Sequence, residues 1–313
     1  MNGLELSRAY FEEWGRPMLE AQFPQLLPKL AAGLFGSGSE CFGYDDEVSR
    51  DHDFEPGFCL FLPGEDEVDR RSAFLLERAY AKLPREFRGF RREVLSPVGG
   101  ARRGVLRTGE FFEAMTGAPD GRLTAAQWLT IPEEALAEAT NGELYFDNPG
   151  EVSRIRAALA QFPEDIRLKR LAGQLLLMAQ AGQYNYARCL AHGEPAAAQL
   201  AVNEFVKSCI EAVFLLNRAY APYYKWSFRA LRRLDKLSLT AETLEYLLTT
   251  GNDGELAESK YDMIESTAAD VIDELQNQGL TKAICGDLEK HAYSVNDGIG
   301  DGDVRNLHIL YAI

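Results

Sequence analysis

The sequence predicts an α+β protein in which a half built from short strands and helices is followed by an all-α half. Before residue 150, compact apolar runs typical of strands alternate with glycine-containing loops and helical stretches. After residue 150, apolar residues recur almost only at helical spacing. The run Asn148-Pro149-Gly150 cannot easily continue either regular structure. We therefore predict two domains, 1–150 and 151–313.

The first half is predicted to begin with a helix over residues 5–20, whose apolar side chains recur at helical spacing. A short apolar run over residues 30–35 stops at a Gly- and Ser-rich segment. The run over residues 58–62, ended by Pro63, is typical of a strand. Acidic residues at 64–67 then suit the first turn of a helix that continues to Leu83.

Three further strands are predicted around residues 90–95, 104–108 and 142–147. In the second half, a helix around residues 204–218 has apolar residues over most of its surface, and its polar residues, from Glu204 through Ser208 to Arg218, are predicted to share one face. So wide an apolar surface has to pack inside a bundle. A later helix has apolar residues at the same spacing between residues 264 and 275.

The composition limits the class of protein. Hydrophobic residues make up 46% and charged residues 26%, which is typical of a globular protein and excludes a disordered or fibrous chain. No apolar run approaches the roughly 20 residues of a membrane span, and the N-terminal segment is not a basic stretch followed by an apolar one. Five scattered cysteines predict buried thiols rather than a disulfide framework. Together these features predict a cytoplasmic protein.

The charge is strongly acidic and unevenly distributed. Lys and Arg total 33 against 48 Asp and Glu, a net charge of −15, which makes nucleic acid an unlikely partner. Basic residues cluster between Lys82 and Arg107, whereas five basic residues face fifteen acidic ones from Lys236 to the end. This pattern fits an anionic ligand at one site and a cationic partner elsewhere, and it also fits charged faces that keep the protein in solution.

The residues best suited to chemistry lie between the first two predicted strands. If Asp51 and Asp53 enter an extended strand, the period of two places both carboxylates on one face. Two adjacent carboxylates repel each other unless a cation such as Mg²⁺ lies between them. Upstream, Gly36 and Ser37 offer backbone N–H groups and a hydroxyl for the phosphates of a triphosphate. Alternatively, Asp51 and Asp53 cap a turn and residues 36–39 are an ordinary loop.

These motifs, with thirteen residues between Ser37 and Asp51, resemble those of the polymerase-beta-like nucleotidyltransferase superfamily. The closer likeness is to the antibiotic nucleotidyltransferases of the kanamycin- and streptomycin-modifying kind and their bacterial relatives. The run Phe214–Trp226 is similar to the Leu-Asn-x-x-Tyr-x-Pro-x-x-Lys-Trp run of their helical bundle. The resemblance covers most of residues 30–235. It implies a nucleotidyltransferase-fold domain, with a mixed β-sheet and flanking helices, joined to a C-terminal helical bundle.

The resemblance implies Mg²⁺-dependent transfer of a nucleoside monophosphate from ATP or another nucleoside triphosphate to a hydroxyl of a small molecule. Asp51 and Asp53 would be catalytic metal ligands. Gly36, Ser37 and Lys225 would hold the triphosphate, although Lys225 also fits a packing role beside its aromatic neighbours.

The resemblance also implies a third carboxylate that acts as a metal ligand or as the base. Glu110 is the favoured catalytic candidate, with Glu93 and Asp147 as alternatives, and Asp147 also fits the role of a turn-forming residue before Pro149.

Other functions remain open from the sequence. The chain fits a non-catalytic nucleotide-binding or regulatory protein with a degenerate nucleotidyltransferase fold, and also a toxin-like transferase that acts on a macromolecule. For the transferase, the predicted partners are a nucleotide and a small-molecule acceptor, with no membrane. The acidic C-terminal region suggests an aminoglycoside-like acceptor.

The pair Cys189 and His192 is only half of a zinc site. The acidic run at 296–303 lacks the ligand spacing of a calcium loop, so we predict a flexible turn there.

Overall fold

The computed structural model of the protein describes residues 1–47, 54–92 and 103–313. Contacts divide the chain into two compact units. The first, here called the sheet unit, comprises Met1–Leu123 with Glu134–Ala160. The second, here called the helical unit, comprises Thr124–Glu133 with Gln161–Ile313. All the strands of the described ranges belong to the sheet unit, and the predicted α+β class is confirmed.

The predicted domain boundary at residue 150 lies inside the sheet unit, just before its last helix, α7 (Glu151–Leu159). Val152, Ile155 and Leu159 of α7 are buried. The division at residue 150 stays a prediction.

The sheet unit begins with a continuous helical stretch whose middle is a wider π turn. Helix α1, the π turn and helix α2 cover Gly3–Tyr10, Phe11–Gly15 and Arg16–Gln22. Asn2 caps α1, because its side chain accepts the N–H of Glu5 while the Glu5 carboxylate accepts the N–H of Asn2. This stretch contains the helix predicted over residues 5–20, and its buried side chains pack into the core of the unit.

Four strands of the described chain form the main sheet, in the order β5-β2-β1-β6. They are β1 (Ala31–Leu34), β2 (Cys59–Leu62), β5 (Gly104–Arg107) and β6 (Glu143–Asp147). Strand β1 pairs antiparallel with β2 and with β6, whereas β2 pairs parallel with β5, so the sheet is mixed as predicted. All residues of β1 and β2 are buried, which is why both strands are continuous apolar runs in the sequence.

A separate hairpin consists of β3 (Glu86–Phe87) and β4 (Phe90–Arg91). Strand β4 covers the start of the strand predicted at 90–95, and the rest of that prediction, from Glu93, lies outside the described residues.

Helices flank the main sheet. They are α3 (Arg70–Ala81), α4 (Thr108–Thr116), α6 (Glu133–Thr140, whose first residue belongs to the helical unit) and α7. The sequence suggested that the acidic residues at 64–67 form the first turn of α3. They do not, because the helix starts only at Arg70. The helix begins later because the Asp69 side chain accepts the N–H of Ser72 and caps it there.

The helical unit is built around two long buried helices, α8 (Glu164–Met178) and α10 (Pro195–Leu216). A π-helical segment, Ala179–Tyr186, joins α8 to α9 (Ala187–Ala191). The remaining helices are α5 (Ala125–Thr130), α11 (Tyr224–Leu231), α12 (Thr240–Thr249), α13 (Gly254–Asn277), α14 (Leu288–Asp297) and α15 (Gly302–Asn306).

Helix α10 packs inside the unit as predicted, but two of the residues predicted on its polar face, Ser208 and Arg218, do not lie on an exposed face of the helix. Ser208 is buried, and Arg218 lies beyond the end of the helix in a left-handed conformation with φ of +54°. The helix ends earlier than the sequence suggested because the Asn217 side chain donates to the carbonyl of Val213 and caps it.

The acidic run at 296–303, predicted to be flexible, is a turn fixed by hydrogen bonds. The Asp165 carboxylate accepts the N–H groups of Gly300 and Asp301, each at 2.9 Å. The Asp301 side chain in turn caps α15. The conformation of the turn is held because the carboxylates of Asp165 and Asp301 accept backbone N–H groups of residues 300–304.

All five cysteines lie in the described ranges and are free thiols. Cys41, Cys59 and Cys209 are buried as predicted, Cys189 is half-buried, and Cys285 is exposed, so the prediction of a buried thiol was wrong for Cys285. Over the described residues, every helix is too short or too polar to cross a membrane.

Candidate functional site

A pocket of about 440 Å³ lies beside the bend that follows strand β1. All of its lining residues belong to the sheet unit. Apolar residues of β1, β2, β5 and α4 form much of the lining. Its polar residues are Ser37, Glu40, Glu77, Arg103, Arg107 and Glu110. A concave site with an apolar wall and a few polar groups is the usual form of a small-molecule site.

The bend at residues 36–38 depends on glycine at two positions. Gly36 and Gly38 have φ of +119° and +125°, in the region that favours glycine. A Cβ at Gly38 would lie 2.6 Å from both carboxylate oxygens of Glu40. Ser37, between them, is half-buried and lines the pocket. The backbone thus turns Ser37 toward the space in which a ligand can bind.

Gly36 is held from the opposite side by Asn141, which follows helix α6. The Gly36 N–H donates to Asn141 Oδ1 at 2.9 Å, and Asn141 Nδ2 donates to the Gly36 carbonyl at 2.9 Å. The Gly36 N–H, predicted as a phosphate donor, is therefore used within the protein. Gly36 shapes the bend, and the Ser37 hydroxyl is the group of this pair that remains for a ligand.

A buried ion-pair network forms one wall of the pocket. Arg103 Nη2 lies 3.1 Å from Glu40 Oε1, and Arg103 Nη1 lies 3.3 Å from Glu55 Oε1. Burial by itself would lower the pKa of Arg103, but the two carboxylates outweigh it and raise that pKa above its ordinary value. Arg103 therefore stays positively charged. The other arginine of the lining, Arg107, donates to the carbonyl of Pro63 at 2.6 Å.

Glu110 lies in the first turn of helix α4, which begins directly after strand β5. Its side chain is exposed and lines the same pocket as Gly36 and Ser37. In the described part of the chain, its carboxylate makes neither a hydrogen bond nor an ion pair. The structure therefore brings together three of the predicted site residues and leaves this carboxylate available to a ligand.

The alternative third carboxylate Asp147 has a different role. Its Oδ1 accepts the N–H of Gly150 at 3.0 Å, and its Oδ2 accepts the N–H of Ser153 at 2.7 Å. Both bonds fix the turn into helix α7, in agreement with a turn-forming residue. Glu93, the other alternative, lies outside the described residues.

The two predicted metal ligands, Asp51 and Asp53, also lie outside the described residues. Among the residues that the structure does describe, no three or more His, Cys, Asp and Glu side chains come together as a group that could hold a metal ion. Glu40 cannot serve as a free ligand because it pairs with Arg103. The described residues do not form a Mg²⁺ site by themselves, and the expectation of Mg²⁺ rests on Asp51 and Asp53.

Lys225 lies on helix α11 of the helical unit and is exposed. Its Nζ is 5.0 Å from the centre of the Trp226 ring, and Cζ of Arg229 is 5.4 Å from the same centre. This contact is a cation–π interaction of the kind that the packing alternative describes. A role in triphosphate binding stays a prediction.

Sequence reasoning missed two parts of the site. Asn141 gave no signal beyond standing before a glycine, where a turn is common. Arg103 was counted only as one member of a basic stretch. A charged Glu40 inside a segment of small and apolar residues was the one available hint that a buried partner was needed.

The chain is similar to known proteins in two respects. A family profile described as a domain of unknown function (DUF4037) matches residues 128–227, less than half of the chain. The fold is also similar to the solved structure of a nucleotidyltransferase-like protein from Exiguobacterium sibiricum 255-15, with 11% sequence identity and a TM-score of 0.38, over 91% of this chain and 80% of that one. No curated protein matches the sequence. Neither likeness transfers an activity, and the resemblance to antibiotic-modifying enzymes stays a prediction.

Proposed function

We propose that the protein is a nucleotidyltransferase, which transfers a nucleoside monophosphate from ATP or another nucleoside triphosphate to a hydroxyl of a small molecule. One observation carries the proposal: the bend at Gly36 and Ser37 and the carboxylate of Glu110, far apart in the sequence, line one pocket. This reaction needs a group that binds phosphate and a group that accepts a proton close to each other, and Ser37 and Glu110 are proposed for these two roles.

In the proposed reaction, the acceptor oxygen forms a bond to the α-phosphorus while the bond from that phosphorus to the pyrophosphate oxygen breaks. Glu110 accepts the proton of the acceptor hydroxyl as the general base. The Ser37 hydroxyl donates to a phosphate oxygen.

Asp51 and Asp53 are proposed to hold one or two Mg²⁺ ions, since adjacent carboxylates are the oxygen ligands that this ion prefers. When bound, the ion neutralises charge on the triphosphate. Lys225 and an aminoglycoside-like acceptor are further parts of the proposal, supported by the sequence resemblance and the acidic C-terminal region.

The proposal is tested first by nucleotide binding. Titration calorimetry with ATP should show binding that requires Mg²⁺ and that disappears when Asp51→Ala and Asp53→Ala are combined. The release of pyrophosphate is then measured with ATP, Mg²⁺ and a panel of aminoglycosides. ATP binding without turnover on any acceptor would favour the non-catalytic alternative, and turnover only with a macromolecular acceptor would favour the toxin-like one. Absence of binding for ATP and for the other common nucleoside triphosphates alike would contradict the proposal.

The role of Glu110 is tested by Glu110→Gln, which keeps the shape of the side chain and removes the base. We expect turnover to fall by about 10²- to 10⁴-fold, as is typical for the loss of a general base, while ATP binding is retained. Glu113→Gln is the matched control, since Glu113 is also exposed on helix α4 and does not line the pocket. Equal turnover in the two variants would remove Glu110 from the mechanism.

A further inference from the structure

Asn141 makes an unusually complete contact with the bend. Its amide accepts from the N–H and donates to the carbonyl of the same residue, Gly36, and both distances are 2.9 Å. Only a side chain with a donor and an acceptor in one plane can satisfy both groups, which among short side chains means asparagine. A carboxylate at this position would accept from the N–H but repel the Gly36 carbonyl.

The residue after Asn141 attaches the other end of the same loop. The Gly142 N–H donates to the carbonyl of Cys41 at 2.9 Å. Gly142 has φ of +65°, and a Cβ there would lie 2.2 Å from the carbonyl oxygen of Leu34. Two consecutive residues therefore hold residues 36–41 at both ends, and the close approach requires glycine at the second position.

Arg156 in turn fixes this two-residue segment. Its Nη2 donates to the carbonyl of Thr140 at 2.8 Å and to the carbonyl of Asn141. The guanidinium carbon lies 4.5 Å from the centre of the Phe35 ring, next to the bend. The position of the Asn141 amide is thus determined by contacts on both sides.

We infer that Asn141 is a positioning residue for the proposed reaction: it holds the Gly36–Ser37 bend in the shape that presents the Ser37 hydroxyl to a triphosphate. The inference rests on the proposed function. Asn141 does not line the pocket, so its effect on a ligand passes through Gly36. Arg156 supports the same arrangement one step further away.

The test compares Asn141→Asp with Asn148→Ala. Asn148 is a matched control because it lies at the opposite end of strand β6, where its Nδ2 donates to the carbonyl of Leu27 at 2.7 Å, away from the bend. Three quantities are measured for the full chain: the Kd for ATP with Mg²⁺, the Tm, and the hydrogen-exchange rate of the Gly36 and Ser37 amides without nucleotide.

We expect Asn141→Asp to weaken ATP binding about tenfold or more, equivalent to about 1.4 kcal/mol, and to speed exchange at the Gly36 amide, which Asn141 binds. Asn148→Ala should change the Kd less than about twofold even where its Tm falls equally. Unchanged ATP affinity in Asn141→Asp, or an equal loss in both variants at equal Tm, overturns the inference.

The exchange measurement separates this inference from the proposed function. If the wild-type protein does not bind ATP and Asn141→Asp still speeds exchange at Gly36, the proposed function fails and the control of the bend by Asn141 stands. If exchange at Gly36 is unchanged, the positioning role of Asn141 fails whether or not the wild-type protein binds ATP.

Discussion

The charged side chains at the pocket of the sheet unit and in the core of the helical unit have different roles. In the sheet unit, Glu77 and Glu110 are exposed and face a pocket. In the helical unit, the ammonium of buried Lys169 donates to Asn296 Oδ1 at 2.8 Å and to the carbonyls of Arg305 and Leu307 at 3.2 and 2.6 Å. The hydrogen bonds to these three acceptors compensate for the burial of the Lys169 ammonium.

Arg170 of the helical unit follows the same rule. Its Nη2 donates to the carbonyls of Trp128, Leu129 and Ile131, and its Nη1 lies 3.8 Å from Glu133 Oε1. A buried guanidinium whose Nη2 donates to backbone carbonyls stabilises the chain segment that carries those carbonyls. The comparison teaches that substitution of a buried, hydrogen-bonded cation such as Arg170 should lower stability, whereas substitution of an exposed pocket carboxylate such as Glu110 should lower function.

The largest expected effect is that of Arg170→Ala. The change removes the donor of three carbonyls and leaves Glu133 buried without its cation, so we expect the free energy of unfolding to fall by about 3–5 kcal/mol. Denaturant unfolding measures it. Lys207→Ala, an exposed cation of the same unit, should change stability by about 0.5 kcal/mol or less. A loss of the same size in both variants would break the comparison.

An intermediate effect should come from the pH dependence of Glu133. Burial raises the pKa of this carboxyl to about 7, although the Ala221 N–H and Arg170 oppose the shift; Glu211 adds to it. Because the folded state holds this proton to higher pH than the unfolded state does, stability should fall as pH rises from about 4.5 to about 7, by about 1–3 kcal/mol.

Measuring the unfolding free energy of the wild-type protein and of Glu133→Gln at several pH values isolates this contribution. The difference between them should change between pH 4.5 and 7 and be constant above that range. Glu164 provides the contrast, because hydrogen bonds from Arg167 and Arg218 lower its pKa to about 2 despite partial burial. The contribution of Glu164 to the free energy of unfolding should instead be lost as pH falls below about 4.5. A difference that stays flat across the whole range would show that Glu133 is not the titrating group.

The smallest effect on stability should come from the pocket itself. Ser37→Ala and Glu110→Gln should each change the free energy of unfolding by about 0.5 kcal/mol or less, because Glu110 is exposed and neither side chain holds another segment. Thermal unfolding measures it, with Arg170→Ala as the reference for a large loss. A strong destabilisation by Glu110→Gln would mean that Glu110 also holds the fold and is not only a pocket residue.

Much of the fold was predictable because local patterns determine it. Strands β1 and β2 are short apolar runs bounded by Gly or Pro, and α10 is apolar over most of its surface. The predicted ends of helices were wrong where a single capping side chain determines the end of the helix. Asp69 delays the start of α3, and Asn217 ends α10 before Arg218. Single capping contacts of this kind leave little trace in a hydrophobic pattern.

The candidate site was predictable in part. Gly36, Ser37 and Glu110 were identified and line one pocket, whereas Asp51 and Asp53 lie outside the described residues. The partners of the bend were not identifiable, because the bond between Gly36 and Asn141 joins residues 105 positions apart. A contact at such separation depends on how β6 pairs with β1, which the sequence pattern does not specify.

The short segment Thr124–Glu133 has a consequence for the integrity of the protein. It belongs with the helical unit, although the chain on both of its sides belongs to the sheet unit. Neither unit is one uninterrupted piece of sequence. A gene fragment that ends at residue 160 would encode every residue of the sheet unit, but the remaining fragment would lack Thr124–Glu133 of the helical unit.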